Sequence, residues 1–238
     1  MIDFRMSDER KHRGPHPQDA GLFAAERLPA LRAAVSDLAW LLSRGYASPS
    51  AQKIVGDRYG LDARQRTAVM RSTCTDAAGA DRRSRELTVD QLRGRRLLVD
   101  GYNVLTTIEA AMAGGVIIVG RDGAWRDLAS MHGTWRRVEE TRPAIERVAA
   151  VLDAAGPAEV TWYLDAPVSN SGRLKVMIEA VRPWRVELVP DPDKVIGMAG
   201  DAVVASADSV VLDRCGAWVN LTRAAIGGVD GVWVVEMG

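Results

Sequence analysis

Three apolar runs of the chain each end in an aspartate: L-L-V-D at Asp100, T-W-Y-L-D at Asp165 and V-V-A-S-A-D at Asp208. Short runs rich in β-branched and aromatic residues read as buried strands, so each acid stands where a strand ends. In a parallel sheet such ends share one edge, and the three carboxylates then converge although they are far apart in sequence. Each could instead cap the helix or turn that follows, a frequent use of aspartate. Three repeats of the pattern favour shared chemistry. Clustered carboxylates repel one another unless a cation lies between them. A hard divalent ion, Mg²⁺ or Mn²⁺, suits an all-oxygen site, and such ions usually serve phosphate chemistry. The expected catalytic set is Asp100, Asp165 and Asp208.

Other polar clusters are candidates to assist. The segment P-V-S-N-S-G-R after Asp165 brings Ser169, Asn170, Ser171 and Arg173 to a predicted helix start, a ready anion site and an expected phosphate clamp; the plain alternative is a helix cap with a solvated arginine. Arg121, Asp122 and Gly123 read as a turn from which Asp122 and Arg126 could face the pocket. His132, in M-H-G-T-W-R, is a candidate to orient water or touch phosphate, although a metal-bound water does not require it. His12 and His16 flank Gly14 and Pro15, which disfavour the helix that would pair them on a metal. Arg44, Tyr46, Lys53, Arg58, Tyr59, Arg64, Arg66 and Arg71 interleave cations with rings, either as a nucleic-acid face or as a solvated face packing on a second domain. Trp40, Trp135, Trp162, Trp184, Trp218 and Trp233 adjoin apolar runs and read as core.

The elements that must position these groups fall into two textures. Leu22 to Leu42 carries apolar residues at three- and four-residue spacing, an amphipathic helix over 19–44 interrupted at Pro29. Further helices are expected over 50–58 and after Asp62, making a small all-α domain over 1–72. Residues 73–94 are short of large apolar side chains and read as a linker with one turn of structure. From 95 to 238, L-L-V-D, V-I-I-V, V-T-W-Y-L-D, V-E-L-V, A-V-V-A-S and V-W-V-V alternate with helical stretches over 143–155 and 172–181. That alternation predicts an α/β domain whose parallel sheet is flanked by helices, with ligands beyond the carboxyl ends of its strands.

Composition sets the frame. The 238 residues are 47% hydrophobic and 26% charged, which excludes a disordered, collagen-like or membrane-embedded chain. Formal charge is +0, yet residues 1–96 hold 18 Lys/Arg against 12 Asp/Glu and the remainder 13 against 19. A basic front and an acidic back suit an anionic partner gripped by one part and processed in the other. Cys74 and Cys215 match no disulfide framework or metal motif and read as free thiols. No secretory h-region or membrane-length apolar stretch is visible, so the expected location is cytoplasmic.

At Asp100 the words become specific. V-D-G-Y-N-V resembles the opening strand of the PIN-like nuclease superfamily, especially its NYN branch; L-D-A at Asp165, P-D-K-V-I at Asp193 and V-A-S-A-D-S at Asp208 resemble its later acidic motifs in order, over about residues 95–222. The resemblance implies a PIN-like fold, Asp100, Asp165, Asp193 and Asp208 as ligands of Mg²⁺ or Mn²⁺, Asn103 as a polar neighbour, and metal-dependent hydrolysis of RNA. Only fifteen positions separate Asp193 from Asp208, a shorter span than in that branch, which makes Asp201 the substitute ligand and Asp191 a weaker one. Ser206-Ala207 stands where the family has Thr-Ser. The shortened span also motivates an alternative, a catalytically inactive PIN-like protein that binds RNA or protein. Nearly the whole chain further resembles an uncharacterised two-domain family, domain of unknown function 434 followed by a PIN-like domain, through W-L-L-S-R-G-Y, V-G-D-R-Y-G-L and D-G-Y-N-V-L-T-T-I-E-A. An aspartyl-nucleophile phosphatase would want a second acid where Tyr102 sits, and no G-x-G-x-x-G follows the first strand to bind a dinucleotide.

Overall fold

The computed structural model describes residues 12–129 and 135–238. Its first part is helical: α1 (Asp19–Leu22), α2 (Leu28–Ser43), α3 (Ser48–Arg58), α4 (Ala63–Ser72) and α5 (Asp76–Ser84). The first helical run breaks earlier than expected, through a 3-10 turn at Ala25–Arg27; Pro29 lies in the first turn of α2, where its missing N–H leaves no partner unsatisfied. Asp62 caps α4, as the sequence suggested, and Gln65 completes a capping box by accepting the Asp62 N–H at 3.1 Å. The stretch read as a linker contains α5, capped by Thr75 Oγ1 accepting the Ala78 N–H at 3.1 Å, with Asp76 in its first turn and Arg82 and Arg83 in its last. Small alanines and arginines favour helix while leaving little apolar periodicity to read.

The second part runs β1 (Glu86–Leu87), β2 (Arg96–Asp100), α6 (Gly101–Met112), β3 (Val116–Val119), β4 (Trp125–Asp127), α7 (Thr141–Ala155), β5 (Glu159–Asp165), α8 (Ser171–Glu179), β6 (Arg185–Val189), α9 (Pro192–Gly197), β7 (Val203–Ala205), α10 (Ser209–Leu212), β8 (Ala217–Val219), α11 (Leu221–Ile226) and β9 (Trp233–Glu236). Six strands form one parallel sheet in the order β1-β8-β7-β2-β5-β6, flanked by helices. V-I-I-V and V-W-V-V leave that sheet. They form a second one in the order β4-β3-β9, in which β3 is antiparallel to β4 and parallel to β9.

Burial explains why β3 is apolar at every position. Ile117 faces the core built by β2, β5, α6 and α7, whereas Val116 and Ile118 face Leu31, Val35, Leu38, Val55 and Val69 of the helical part. The helices therefore share a core with the small sheet. Trp135, Trp162 and Trp218 are fully buried, but Trp40 is 51% exposed, with the Arg44 guanidinium 3.7 Å from its ring centre, so it is not core. Near the start of the described chain, Arg13 bonds the fully buried Glu109 at 2.7 Å and His12 Nδ1 lies 2.6 Å from Glu140. Cys74 and Cys215 are buried free thiols. Among the described residues no helix is long and apolar enough to cross a membrane.

A buried ion cluster locks the two parts. Asp122, in the β3–β4 turn, lies between Arg82 of α5 at 2.7 Å and Arg126 of β4, which grips both carboxylate oxygens at 2.7 and 2.8 Å. Arg82 also reaches Asp213 at 2.7 Å, and Arg126 Nε donates to the Ala207 carbonyl at 2.7 Å. Burial alone would raise the Asp122 acid, but Arg126 and Arg82 overcome it and hold its pKa at about 2. Asp122→Ala leaves two buried guanidiniums without their shared partner and is expected to destabilise the protein by about 3 kcal/mol in urea unfolding. An unchanged unfolding midpoint would contradict this account of the junction.

Candidate functional site

Strand β2 lies at the centre of the main sheet. The chain moves outward from it through β5 and β6, then returns to its other side as β7 and β8. The crevice where strand order reverses, outside the carboxyl ends of β2 and β7, is the natural ligand position in such a sheet. Asp100 ends β2 there. Val99 pairs with Ala205, and the next residue along β7, Ser206, donates its hydroxyl to Asp100 Oδ2 at 2.7 Å. Gly101 is required by close approach: a Cβ there would meet Leu164 Cδ2 at 2.4 Å and the Tyr163 carbonyl at 3.1 Å. The D-G of the motif thus reflects α6 packing tightly against β5.

Two of the three strand-end acids, Asp100 and Asp208, cap the helices that follow them and also line one cleft. Asp100 caps α6 by accepting the Asn103 N–H at 3.4 Å, and Asp208 caps α10 by accepting the Val210 and Val211 N–H groups at 2.7 and 3.2 Å. The same side chains, with Asn103 and Asp193, line a cleft of about 520 Å³. Asn103 Oδ1 accepts the Ala207 N–H at 2.8 Å, which ties α6 to the turn carrying Asp208. Asp165 does not line this cleft, but its field reaches Asp193 and Tyr102.

The electrostatics record uncompensated charge. Burial, then the fields of Asp193 and Asp208, push Asp100 up to about 7 against the Ser206 and Asn103 hydrogen bonds. Asp193 rises to about 6 through burial, then Asp208, Asp165 and Asp191, with Arg214 opposing. Asp165 is raised by burial and Asp191. The Tyr102 hydroxyl, buried without a hydrogen-bond partner among the described residues, is pushed to about 12 by burial and Asp165.

Of the two alternatives left open, Asp193 is at the cleft and Asp201 is not. Asp201 precedes its strand instead of ending one; its side chain is 92% exposed and 3.9 Å from Arg96, the first residue of β2, at the opposite edge of the sheet. Asp191 caps α9 through the Lys194 N–H at 3.0 Å. Ser169, Asn170, Ser171 and Arg173 do not line the cleft either. Asn170, with φ 70°, donates to the Trp135 carbonyl at 3.0 Å, Ser171 is buried, and Arg173 joins Arg136 and Arg137 along a separate groove of about 530 Å³. His132 lies outside the described residues.

The cleft also contains residues the strand-end pattern could not mark. Asp127, from the three-residue β4, accepts the Ala129 N–H at 2.6 Å and lies 2.8 Å from the Thr107 hydroxyl, and Arg71 comes from α4. The proposed cationic stripe is mostly engaged within the protein: Arg64 bonds Asp19, Lys53 and Arg66 bond Asp57, and Arg58 stands 3.4 Å from Asp37. Among the described residues no group of three or more His, Cys, Asp or Glu could by itself hold a metal ion. An ion here would rest on one or two carboxylates, with water and substrate oxygens completing its shell, a common mode for Mg²⁺.

Comparison with known proteins places this geometry in a family context. Residues 89–224, more than half of the chain, match the family described as Domain of unknown function (DUF5616), and residues 30–85 match Protein of unknown function (DUF434). The chain is 28% identical over 188 residues to the uncharacterized protein MJ0935 of Methanocaldococcus jannaschii, covering 77% of this chain and 89% of that one. No solved structure matches.

The raised Asp100 acid has a consequence for stability. Because its folded pKa of about 7 exceeds the ordinary 3.8, the folded state holds a proton that the unfolded state has lost between those values, and this contribution falls as pH rises from about 4 to about 7. Asp100→Asn removes the charge. In chelator-containing buffer at pH 8 it is expected to stabilise the protein by roughly 2 kcal/mol, about 5 °C in Tm, with little effect at pH 4. Equal effects at both pH values in thermal melts would contradict the assignment.

Proposed function

We propose that this chain, which belongs to the DUF5616 family and carries a DUF434 region in front, is a divalent-cation-dependent nuclease that hydrolyses phosphodiesters in RNA. One observation carries the reading: acids from β2, α9 and the β7–α10 turn line one cleft at the crevice where the strand order of the parallel sheet reverses, close enough for the fields of Asp193 and Asp208 to raise Asp100. Helix capping does not account for the set, because Asp193 makes none of the described hydrogen bonds and still faces the other acids. The resemblance of D-G-Y-N, L-D-A and V-A-S-A-D to PIN-like nucleases agrees with this choice and supplies RNA as the substrate class.

The residues divide the work. Asp208 Oδ1 takes both cap bonds of α10, and among the described residues neither Asp208 Oδ2 nor the Asp193 carboxylate makes a hydrogen bond. These two side chains are the ones that would hold Mg²⁺ or Mn²⁺, with Asp100 behind them. When bound, such an ion supplies Lewis acidity and a water activated at neutral pH. Ser206 orients Asp100, and Asn103 together with Arg126 fixes the Ala207 backbone that presents Asp208. Asp165 adds negative potential from behind the cleft.

A second reading has its own observation. The lack of a self-sufficient three-group metal set among the described residues favours a PIN-like protein without turnover that binds RNA or a protein partner. Calorimetric titration of Mn²⁺ and Mg²⁺ into wild type and Asp100→Asn/Asp208→Asn, beside an RNA cleavage assay, separates the two. The nuclease reading expects metal binding lost in the double variant and cleavage lowered by about three orders of magnitude in Asp100→Asn. Cleavage persisting in purified Asp100→Asn would refute the mechanism; RNA binding with neither metal binding nor cleavage would favour the second reading.

A further inference from the structure

We infer that the helical region completes the cleft: Arg71, from α4, is the guanidinium that receives a phosphate of the nucleic-acid strand presented to the carboxylates. This deepens the nuclease reading and rests on its assignment of a nucleic-acid substrate. A phosphodiester entering the cleft meets Asp100, Asp127, Asp193 and Asp208, and Coulomb repulsion at such range opposes it unless a cation shares the site. Among the described residues lining the cleft, the cations are Arg71 and Arg126. Arg126 is committed: its side chain is 9% exposed, and Nε, Nη1 and Nη2 donate to Ala207 and to both oxygens of Asp122.

Arg71 differs in each respect. Its side chain is 31% exposed. Nη1 donates to the carbonyls of Asp127 at 2.7 Å and Ala129 at 3.1 Å, which fixes the plane of the guanidinium, while Nε and Nη2 make none of the described hydrogen bonds. Its nearest carboxylate oxygen, Asp127 Oδ1, is 3.7 Å away and already accepts the Ala129 N–H. A planar fork anchored by one nitrogen, with donors to spare, is preorganised for a phosphate in a way a mobile lysine is not. The backbone holds α4 in place: the Ser72 carbonyl accepts the Arg121 N–H at 2.9 Å, and Val69 lies in the core shared with β3. The helical region thereby acts as one wall of the site, and not as a separate binding module.

The test is binding without turnover. Anisotropy of fluorescein-labelled 12-nucleotide oligo(U), a matching oligo(dT) and an RNA hairpin is measured against the full chain with Ca²⁺ in place of Mg²⁺, from 50 to 200 mM KCl. Arg71→Gln is expected to weaken binding about tenfold and to lower the slope of log affinity against log salt by about 0.7, one phosphate contact on a single strand. Arg71→Lys keeps the charge, and so the slope, while losing about threefold in affinity. Lys53→Gln, the same charge change on α3, alters neither. Thermal melts detect any loosening of the 127–129 segment, and a purely structural role would leave the slope of folded protein unchanged. A wild-type slope in folded Arg71→Gln overturns the inference and leaves the nuclease reading standing. Failure of wild type to bind any of the three probes overturns both.

Discussion

Asp122 is buried between guanidiniums from two regions of the chain, and the rest of the architecture depends on that arrangement. Arg82 brings the end of the helical region against the β3–β4 turn, and Arg126 reaches across to the Ala207 carbonyl beside Asp208. A buried carboxylate between two arginines is net cationic, and its desolvation is offset only because nearly every donor finds an acceptor. Ser209 and Asp213 accept what remains of Arg82. The backbone segment that carries the fourth acid of the cleft is therefore held from below by charge and from the side by Asn103.

The contrast between Asp122 and Asp100 shows how neighbours set the behaviour of one residue type. Both are buried. Asp122 faces two cations and stays ionised down to a pH of about 2; Asp100 faces two further carboxylates and takes a proton near pH 7. Arg126 connects Asp122 to the Ala207 carbonyl, next to Asp208 in the cleft. Here Arg82 and Arg126 surround Asp122, while Asp100 and Asp193 are raised by burial and by neighbouring carboxylates.

Much of this was legible in the sequence. The apolar runs ending in Asp100, Asp165 and Asp208 mark strand ends because a parallel sheet forces its loops to one edge, and V-D-G-Y-N adds the glycine that lets α6 lie against β5. Other features carried no local signal. Asp127 sits on a three-residue strand whose place is set by pairing with β3, and Arg71 looks like any solvated helical arginine until α4 packs on the small sheet. V-I-I-V reads as a strand of the main sheet because apolarity on both faces is common to both settings; only tertiary contact reveals that one face meets the helices. The serines and arginine after Asp165 follow the right strand, but β5 runs two residues past Tyr163, the partner of Asp100, and the loop turns its polar groups toward Trp135.

The short segment between Asp193 and Asp208 bears on how an acid can be kept at the cleft without a long helix. Six residues of α9 suffice because Pro192 fixes the entry, Asp191 caps the first turn, and Ile196 buries against Ala202, Val204 and Leu212 on the face of the sheet opposite α6. Asp193 then stands one turn from the β6 end, lines the cleft with Asp208, and is raised by burial and by the Asp208 charge. Asp201 lies on the return of the chain to the amino edge, which the parallel pairing of β7 with β2 requires, and there it stands 3.9 Å from Arg96 and exposed to solvent. Position along the crossover thus separates the two acids: Asp193, soon after β6, is at the carboxyl edge with Asp208, and Asp201, just before β7, is at the amino edge.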